Sequence, residues 1–279
     1  MPEEITKLTH KYLRHDKKFP HIWCPGCGNG IVLGSLIRAI DRSGLRQDDF
    51  VLVSGIGCSG RMTVYADFNT LHTTHGRALT FATGIKLAKS SLRVIVIMGD
   101  GDATAIGGNH FIHAARRNMD VTAIIINNQV YGMTGGQQSP TTPHGSITTT
   151  TPYGHIENTF SISDLAIVAG ASFVGRGTVF HVQLLDKLIE RAILKQGFSV
   201  VEILSNCHVQ FGRRNKMGSP VKMMKWFQEH AVTMERARQM KEEELADKVS
   251  IGVLTDSDKP SFLLKYQKVR ERARASLKK

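Results

Sequence analysis

Residues 94–102 read Val94-Ile95-Val96-Ile97-Met98-Gly99-Asp100-Gly101-Asp102 and open the segment, reaching to Gln137, that decides the fold. After a stretch of helical character, a second apolar run over residues 121–126 leads to Asn127-Asn128. Both runs are rich in β-branched residues and do not alternate with polar ones, as in parallel strands buried on both faces. The order strand, turn, helix, strand, turn predicts a right-handed crossover that places both turns at one edge of the sheet.

Polar side chains follow each of these two strands. Asp100 comes after the first strand and Asn128 after the second, at the carboxyl edge where open α/β sheets bind ligands. Carboxylate and carboxamide oxygens that leave positions open for phosphate suit Mg²⁺, and the glycines let the backbone approach a diphosphate. The pattern predicts a magnesium-diphosphate site. The alternative is a pair of ordinary turns, since both motifs contain common turn-forming residues.

Composition and charge limit the class of protein. With 279 residues, 41% of them hydrophobic, and 26 glycines, the chain is typical of a globular protein with one large domain or a domain with an appendage. No apolar run approaches the ~20 residues of a membrane helix, and the N-terminus lacks a signal-peptide pattern, so we expect a cytoplasmic protein. From Arg213 onward 17 Lys and Arg face 9 Asp and Glu, which indicates either an acidic partner or a solvated basic tail.

The remaining pattern predicts an α/β fold with a doubly wound, mostly parallel sheet, flanking helices and a basic C-terminal helical arm. We expect an α/β domain over residues 1–215, a basic and mostly helical extension over 216–279, and a surface arm within 1–20. The proline- and threonine-rich stretch after Gln137 is typical of a loop that covers an active site, or of a plain surface loop. Further strands are predicted at 50–53, 171–174 and 200–204, and helices at 31–40, 78–90, 164–170, 184–195, 221–248 and 263–279.

The four cysteines form a second candidate site. Cys24 and Cys27 make a CxxC before the first predicted helix of the sheet region, and Cys58 and Cys207 each stand just past a predicted strand. All four therefore belong at the edge that carries the diphosphate site. Such a set fits a [4Fe–4S] cluster or a Cys₄ zinc site, although zinc ribbons usually have two CxxC pairs, and four unrelated cysteines are the remaining alternative.

Both patterns resemble those of a known family. Gly99-Asp100-Gly101 and, 25 residues later, Asn127-Asn128 resemble the signature of thiamine diphosphate enzymes. With the other motifs, the chain resembles the β subunits of 2-oxoacid:ferredoxin oxidoreductases, most of all the 2-oxoglutarate type. These motifs are Trp23-Cys24-Pro25-Gly26-Cys27-Gly28, Gly55-Ile56-Gly57-Cys58-Ser59, His75-Gly76-Arg77, Gly99-Asp100-Gly101-Asp102, Tyr131-Gly132-Met133-Thr134-Gly135-Gly136-Gln137 and Cys207.

The resemblance implies a thiamine diphosphate-binding fold and a set of site residues. It implies that Asp100, Asn128 and the carbonyl of Val130 hold Mg²⁺, and that His75 acts at the thiamine. It implies one [4Fe–4S] cluster on Cys24, Cys27, Cys58 and Cys207. It implies thiamine diphosphate contacts at Ile56, Gly57, Cys58, Ser59, Gly101, Asp102, Gly132 and Met133.

The same resemblance implies partners and a reaction. The family oxidises a 2-oxoacid, with coenzyme A as the acyl acceptor and ferredoxin as the electron acceptor, or runs the reverse reductive carboxylation. Thiamine enzymes also need a glutamate against the aminopyrimidine, and no glutamate here lies in a convincing motif. We therefore expect activity only with an α subunit, in a dimer of αβ heterodimers. Membrane and nucleic-acid partners are not expected.

Arg61 is a candidate for substrate selection. It lies three residues past Cys58, where a guanidinium can pair bidentately with the distal carboxylate of 2-oxoglutarate. The alternative is a scaffold arginine that serves an ion pair.

Two other functions remain open from the residues. The same chemistry could act on pyruvate, a branched-chain or an aryl 2-oxoacid. A more distant alternative is a basic nucleic-acid-binding protein with a Cys₄ zinc site. The basic runs contain few interleaved Phe and Tyr, which argues against the latter.

Overall fold

The computed structural model describes residues 2–14 and 20–277. Strands and helices alternate through most of this range. The strands are β1 (Phe50–Ser54), β2 (Asn69–His72), β3 (Arg93–Gly99), β4 (Thr122–Asn127), β5 (Val130–Tyr131), β6 (Gln137–Gln138), β7 (Phe173–Thr178), β8 (Ser199–Leu204), β9 (Ala231–Thr233) and β10 (Val249–Asp256). The helices are α1 (Pro2–Tyr12), α2 (Asn29–Arg42), α3 (Met62–Tyr65), α4 (Ala78–Ala88), α5 (Asp100–Thr104), α6 (Gly108–Arg117), α7 (Ile162–Val168), α8 (Val182–Leu194), α9 (Pro220–His230), α10 (Met234–Ala237), α11 (Glu242–Leu245) and α12 (Phe262–Ser276).

The main sheet has eight strands in the order β2-β1-β3-β4-β8-β7-β10-β9. All neighbours pair in parallel except β10 and β7, which are antiparallel. The chain leaves β1 for β2 on one side and then returns to place β3 on the other side. This reversal is the topological switch point where open α/β sheets form a ligand crevice, and it separates the loops after β1 and β3.

Helices cover both faces of the sheet. Successive residues of β3 point to opposite sides, so Ile95 and Ile97 join the core under α2 and α8. Val94 and Val96 join the core under α4, α6 and α7. Burial on both faces explains why the strands read as unbroken apolar runs. The predicted doubly wound, mostly parallel sheet with flanking helices is confirmed.

The segment Gly99–Asp102 differs from its predicted turn. Helix α5 begins at Asp100 directly after β3, with Gly99 as its extended N-cap residue. Asp100 and Asp102 both lie in the first turn of this helix, where negative charge is favoured by the helix dipole. The physical reason for the difference is that this acidic, glycine-containing sequence suits a helix N-terminus as well as a turn.

The part of the chain beyond residue 215 contains helices and strands. Helices α9, α10, α11 and α12 agree with its predicted helical character, and α12 supplies the basic C-terminal helix. The predicted continuous helix over 221–248, however, is wrong, because β9 and a break after α10 interrupt it. Strand β10 was not predicted as a strand, and it extends the main sheet by pairing with β7.

The N-terminal segment packs on the domain more closely than a surface arm would. Tyr12 is buried, stacks on Phe68 with ring centroids 5.5 Å apart, and donates a 2.8 Å hydrogen bond to Asp41. Part of the predicted arm, residues 15–19, lies outside the described residues. Within the described chain, none of the helices has the length and apolar character needed to cross a bilayer.

Candidate active site

One cavity of about 110 Å³ lies at the carboxyl edge of the sheet, at the switch point between β1 and β3. Its walls come from the segments that follow β1, β2, β3 and β4. The structure places twelve of the predicted site residues around this cavity. They are Ile56, Gly57, Cys58, Ser59, His75, Asp100, Gly101, Asp102, Asn128, Val130, Gly132 and Met133.

Asp100 is the buried carboxylate of this cavity. Its Oδ2 accepts hydrogen bonds from the hydroxyls of Ser139 at 2.5 Å and Thr141 at 2.6 Å. Burial raises the pKa of Asp100, and these two hydroxyls oppose that effect. A buried carboxylate that no positively charged group among the described residues contacts is suited to bind a cation.

Asn127 and Asn128 shape the turn after β4. The side-chain oxygen of Asn127 accepts the backbone N–H of Gln129, and that of Asn128 accepts the N–H of Val130, each at 3.2 Å. These Asx turns hold Gln129 at a φ of 66°, a left-handed conformation that is uncommon outside glycine. The turn therefore brings the Asn128 carboxamide and residue Val130 to the cavity that also contains Asp100.

Gly101 and Gly55 allow the backbone to pack tightly at this edge. A Cβ at Gly101 would overlap the ring of Tyr131, whose hydroxyl donates a 3.2 Å hydrogen bond to the Gly101 carbonyl. A Cβ at Gly55 would overlap the carboxylate of Asp102. Glycine is thus required at both positions by space rather than by unusual backbone angles.

His75 is held by Asp102. The Nδ1 of His75 and the Asp102 Oδ1 form a short hydrogen bond, and the Gly76 N–H donates to the same oxygen at 2.6 Å. The His75 ring also packs edge-on against Tyr131, with ring centroids 6.0 Å apart. Burial raises the pKa of Asp102, and the hydrogen bonds from Gly76 and His75 oppose this shift. The hydrogen bond at Nδ1 fixes the orientation of the His75 imidazole, which lines the cavity.

Two hydrogen bonds bring the three cysteine-bearing segments together. The Trp23 indole donates to the carbonyl of Cys58 at 2.7 Å, and the Asn206 side chain donates to the carbonyl of Gly26 at 2.9 Å. The first bond joins the CxxC loop to the loop after β1. The second joins it to the loop after β8, which carries Cys207.

The four thiols are close enough to affect one another. Burial raises the pKa of Cys58 to about 11, with contributions from the other three cysteines, and burial likewise raises the pKa of Cys27 and Cys207. A Cβ at Gly132 would lie 3.4 Å from the Cys207 sulfur and 3.8 Å from the Cys58 sulfur. All four cysteines are free, and Cys24 is exposed. Among the described residues, no group of three or more His, Cys, Asp or Glu is arranged to hold a single metal ion.

Arg61 lies apart from the twelve residues that line the cavity. It ends a short 3₁₀ turn, Ser59–Arg61, that follows Cys58. Its Nε is buried without a hydrogen-bond partner among the described residues. Because a buried donor of this kind usually has a partner, the Arg61 Nε is a candidate to bind an anionic group.

A larger cavity of about 430 Å³ lies beneath the loop between β6 and α7. The carboxylate of Glu202 faces it and is fully engaged by Asn127, Ser163 and Arg176. Because these partners occupy both oxygens, Glu202 serves as a structural buried charge. None of the predicted site residues lines this cavity.

Four residues of the site were given no role from the sequence, although Trp23 begins one of the quoted motifs: Ser139, Thr141, Trp23 and Asn206. The first two lie in the loop that was predicted to cover an active site, but their contact with Asp100 spans about forty residues and has no local signal. Trp23 and Asn206 directly precede cysteines of the predicted cluster. Their position next to candidate ligands is the signal that could have found them.

Comparison with known proteins agrees with this site. The family model of the thiamine pyrophosphate enzyme C-terminal TPP-binding domain matches residues 55–203, so the fold and the site define a thiamine pyrophosphate-binding domain. The chain is 48% identical over 265 residues to 2-oxoglutarate synthase subunit KorB of Methanocaldococcus jannaschii. That alignment covers 95% of this chain and 98% of the relative. It is 61% identical over 196 residues to the KorB subunit of Archaeoglobus fulgidus, covering 70% of this chain and 73% of the relative.

A solved structure is also similar. The 2-oxoglutarate:ferredoxin oxidoreductase from Magnetococcus marinus, with 2-oxoglutarate, coenzyme A and succinyl-CoA bound, aligns with a TM-score of 0.84 at 32% identity. The alignment covers 95% of this chain and 90% of that chain. The chain belongs to the family of 2-oxoglutarate synthase KorB subunits.

Proposed function

We propose that this chain is the β subunit of a 2-oxoglutarate:ferredoxin oxidoreductase. The reaction is the oxidation of 2-oxoglutarate with coenzyme A to succinyl-CoA and CO₂, with two electrons passed singly to ferredoxin, or its reverse. The observation that carries the proposal is the gathering of twelve predicted site residues, Cys58 among them, around one cavity beside the other three cysteines. The KorB relatives support the choice of 2-oxoglutarate.

The residues around the cavity fit Mg²⁺ and the diphosphate of thiamine. Asp100, Asn128 and the carbonyl of Val130 would hold the metal, because they offer hard oxygen donors at one place. Backbone N–H groups of Ile56–Ser59 and Gly101–Asp102 would face the phosphate oxygens, with Gly132 and Met133 on the opposite wall. When bound, thiamine diphosphate supplies the nucleophilic carbon and the electron sink for decarboxylation.

His75 and Arg61 would act on the substrate side. His75, oriented by Asp102, would hold or move a proton at its outer nitrogen near the reacting carbon. Arg61, whose buried Nε has no hydrogen-bond partner among the described residues, would bind the distal carboxylate of 2-oxoglutarate.

The four cysteines fit an iron–sulfur cluster. In a [4Fe–4S] cluster each thiolate binds a different iron atom, so the ligands surround a volume rather than a single point. Hydrogen bonds from Trp23 and Asn206 hold the three cysteine-bearing segments close together, as a cluster with ligands from all three would require. The cluster supplies the one-electron steps that ferredoxin requires.

The proposal includes a partner. A cavity of about 110 Å³ is small for a cofactor site, and related proteins are named as the β subunit of a 2-oxoacid:ferredoxin oxidoreductase. We infer that an α subunit completes the site and supplies the activating glutamate. An assembly of two αβ pairs rests on the family resemblance, and the cytoplasmic location is the expectation drawn from the sequence.

The test is anaerobic purification of the chain with its α subunit, followed by iron, sulfide and zinc analysis. We expect about four iron and four sulfide per β chain, a broad absorption band near ~400 nm and little zinc. Dye reduction should then require 2-oxoglutarate, coenzyme A, Mg²⁺ and thiamine diphosphate. One zinc per chain without sulfide would contradict the electron path. A preference for pyruvate or for a branched-chain or aryl 2-oxoacid would contradict the substrate.

A further inference from the structure

The segment that follows Cys207 carries an excess of exposed positive charge. Residues 203–228 contain no Asp or Glu, and the exposed Glu229 follows them directly. The carboxylates that lie near the cysteines, Asp100 and Asp102, are buried in the cavity. The exposed charge beside Cys207 is therefore mainly positive.

Four exposed cations form what we call the basic rim: Arg213, Lys216, Lys222 and Lys225. The structure records no ion pair for any of them among the described residues. Lys222 and Lys225 lie on α9, and Arg213 and Lys216 lie in the segment that leads to it. Charges without local partners are available to a binding partner and attract an acidic one from a distance.

The basic rim adjoins the cysteines directly. The carbonyl of Cys207 accepts hydrogen bonds from the N–H groups of Phe211 and Gly212, each at 2.9 Å, and so begins the π-helical turn that ends beside Arg213. Pro220, the first residue of α9, abuts the CxxC loop, since a Cβ at Gly26 would lie 2.8 Å from its side chain. An open depression of about 400 Å³, lined in part by His208, Arg213 and Lys216, lies on this surface.

The other strongly basic element lies at the opposite edge of the sheet. Helix α12 begins at Phe262, whose N–H donates a 3.0 Å hydrogen bond to the carbonyl of Asn118. Asn118 precedes β4, so α12 is anchored at the amino edge, whereas the cysteines lie at the carboxyl edge. Among the described residues, the rim lies beside the CxxC loop that contains the exposed Cys24, whereas α12 lies at the other edge of the sheet.

We propose that the basic rim is the docking surface for an acidic one-electron carrier protein. The inference rests on the proposed function, because it needs a cluster on the four cysteines. At each docking the reduced cluster loses one electron and the carrier gains one, while no bond is made or broken and no proton moves. Two dockings remove the two electrons released by one 2-oxoacid. Complementary charge raises the association rate and orients the carrier with its own cofactor toward Cys24.

The test uses the complete αβ enzyme with two matched charge reversals. The rim variant is Lys222→Glu with Lys225→Glu on α9, and the control is Lys265→Glu with Lys268→Glu on α12. Both pairs are exposed, have the same spacing and lie in the first two turns of a helix. The probes are an acidic two-cluster ferredoxin and methyl viologen, a small acceptor that needs no docking surface. The KM for each acceptor is measured over a range of salt concentrations.

We expect the rim variant to raise the KM for ferredoxin by about tenfold at low salt, to weaken its salt dependence, and to leave methyl viologen reduction unchanged. The α12 control should match the wild type with both acceptors. An unchanged ferredoxin KM in the rim variant, or a raised one in the control, would overturn the assignment. Loss of the α subunit from the rim variant would also overturn it, by placing the rim in the subunit interface.

The proposed function is tested separately by the wild-type enzyme. If that enzyme lacks 2-oxoglutarate-dependent methyl viologen reduction, the proposed function fails. If it reduces methyl viologen but the rim variant does not differ in its ferredoxin KM, only the docking surface fails. Direct titration of ferredoxin onto both variants gives a dissociation constant that does not depend on turnover.

Discussion

At the scale of single residues, short polar groups position larger ones around the cavity. Asp102 fixes the Nδ1 side of His75, and the two Asx turns of Asn127 and Asn128 set the path that brings Val130 to the cavity. Arg61 and Asp102 each have one buried atom, Nε and Oδ2 respectively, without a hydrogen-bond partner among the described residues. The other oxygen of Asp102 is held by His75 and Gly76. Because a buried donor usually has a partner, Arg61 is a candidate to bind the substrate carboxylate.

Arg61→Ala should change substrate preference. Removing a bidentate partner of a carboxylate costs about 2 kcal/mol, so we expect kcat/KM for 2-oxoglutarate to fall about thirtyfold. The value for pyruvate, which has no distal carboxylate, should change little. Steady-state kinetics of the αβ enzyme with both substrates measures the ratio. Arg46→Ala, at an exposed arginine paired only with Asp49, is the control. An unchanged ratio would assign Arg61 to the scaffold.

Gly101→Ala should weaken cofactor binding and have a smaller effect on folding. The added methyl group would overlap Tyr131, and the ring or the α5 backbone must then move into the cavity. We expect at least a tenfold loss in affinity for Mg²⁺-thiamine diphosphate, measured by calorimetry. Gly84→Ala in α4 is the matched control, because a Cβ there meets nothing within 4 Å and should stabilise the helix by about 0.5–1 kcal/mol. Equal affinities for the two variants would contradict the importance of this close approach.

At the scale of elements, the loop between β6 and α7 acts on the site from outside the sheet. It places the Ser139 and Thr141 hydroxyls on Asp100, while the neighbouring Thr142 donates to the Gln129 carbonyl at 2.7 Å. The loop thus orients a candidate metal ligand and supports the turn after β4. Groups that orient a metal ligand affect metal affinity even though they do not touch the metal.

Thr141→Val should weaken Mg²⁺ binding about tenfold, because it removes a hydrogen bond to the carboxylate without changing side-chain volume much. Thr122→Val, at the start of β4, removes a buried hydroxyl that donates to the Ala192 carbonyl at 3.0 Å, so it should lower stability by about 1 kcal/mol without changing Mg²⁺ affinity. The Mg²⁺ dependence of thiamine diphosphate binding and urea denaturation of the αβ enzyme separate the two effects. A similar loss of Mg²⁺ affinity in both variants would show that the loop acts only through stability.

The central strands and the site loops could be predicted from the sequence because their signals are local. Strands β3 and β4 are buried on both faces and read as unbroken apolar runs, Cys58 and Cys207 stand just past strands, and the CxxC stands just before α2. Strand β10 escaped prediction because it is an irregular, half-buried strand between charged segments, with a register shift near Val253. The contacts of Ser139 and Thr141 with Asp100 depend on how a long loop folds back, which no local pattern records.

At the scale of the whole molecule, the sheet edge carries one half of a cofactor site. The residues that line the cavity suit a metal and a diphosphate, whereas its volume of about 110 Å³ is well below the ~300 Å³ or more of typical ligand pockets. The basic rim and the cysteines lie on the same carboxyl edge. We therefore expect an α subunit to complete the part of the site that holds the thiazolium and aminopyrimidine rings. The electrons would leave through the β subunit.

The proposed division of the site between two subunits predicts the relative affinities of pyrophosphate and thiamine diphosphate. On the purified β chain, Mg²⁺-pyrophosphate and Mg²⁺-thiamine diphosphate should bind with affinities within about tenfold of each other, because most of the proposed contacts of this chain are to the metal and the diphosphate. In the αβ enzyme thiamine diphosphate should bind at least about a hundredfold more tightly than pyrophosphate, a difference of about 2.7 kcal/mol. Calorimetric titration measures both ratios, and Asp100→Asn should abolish the Mg²⁺ dependence in each case. If the β chain alone already prefers thiamine diphosphate a hundredfold, the thiazolium and aminopyrimidine are held within this chain, and the α subunit is needed for another reason.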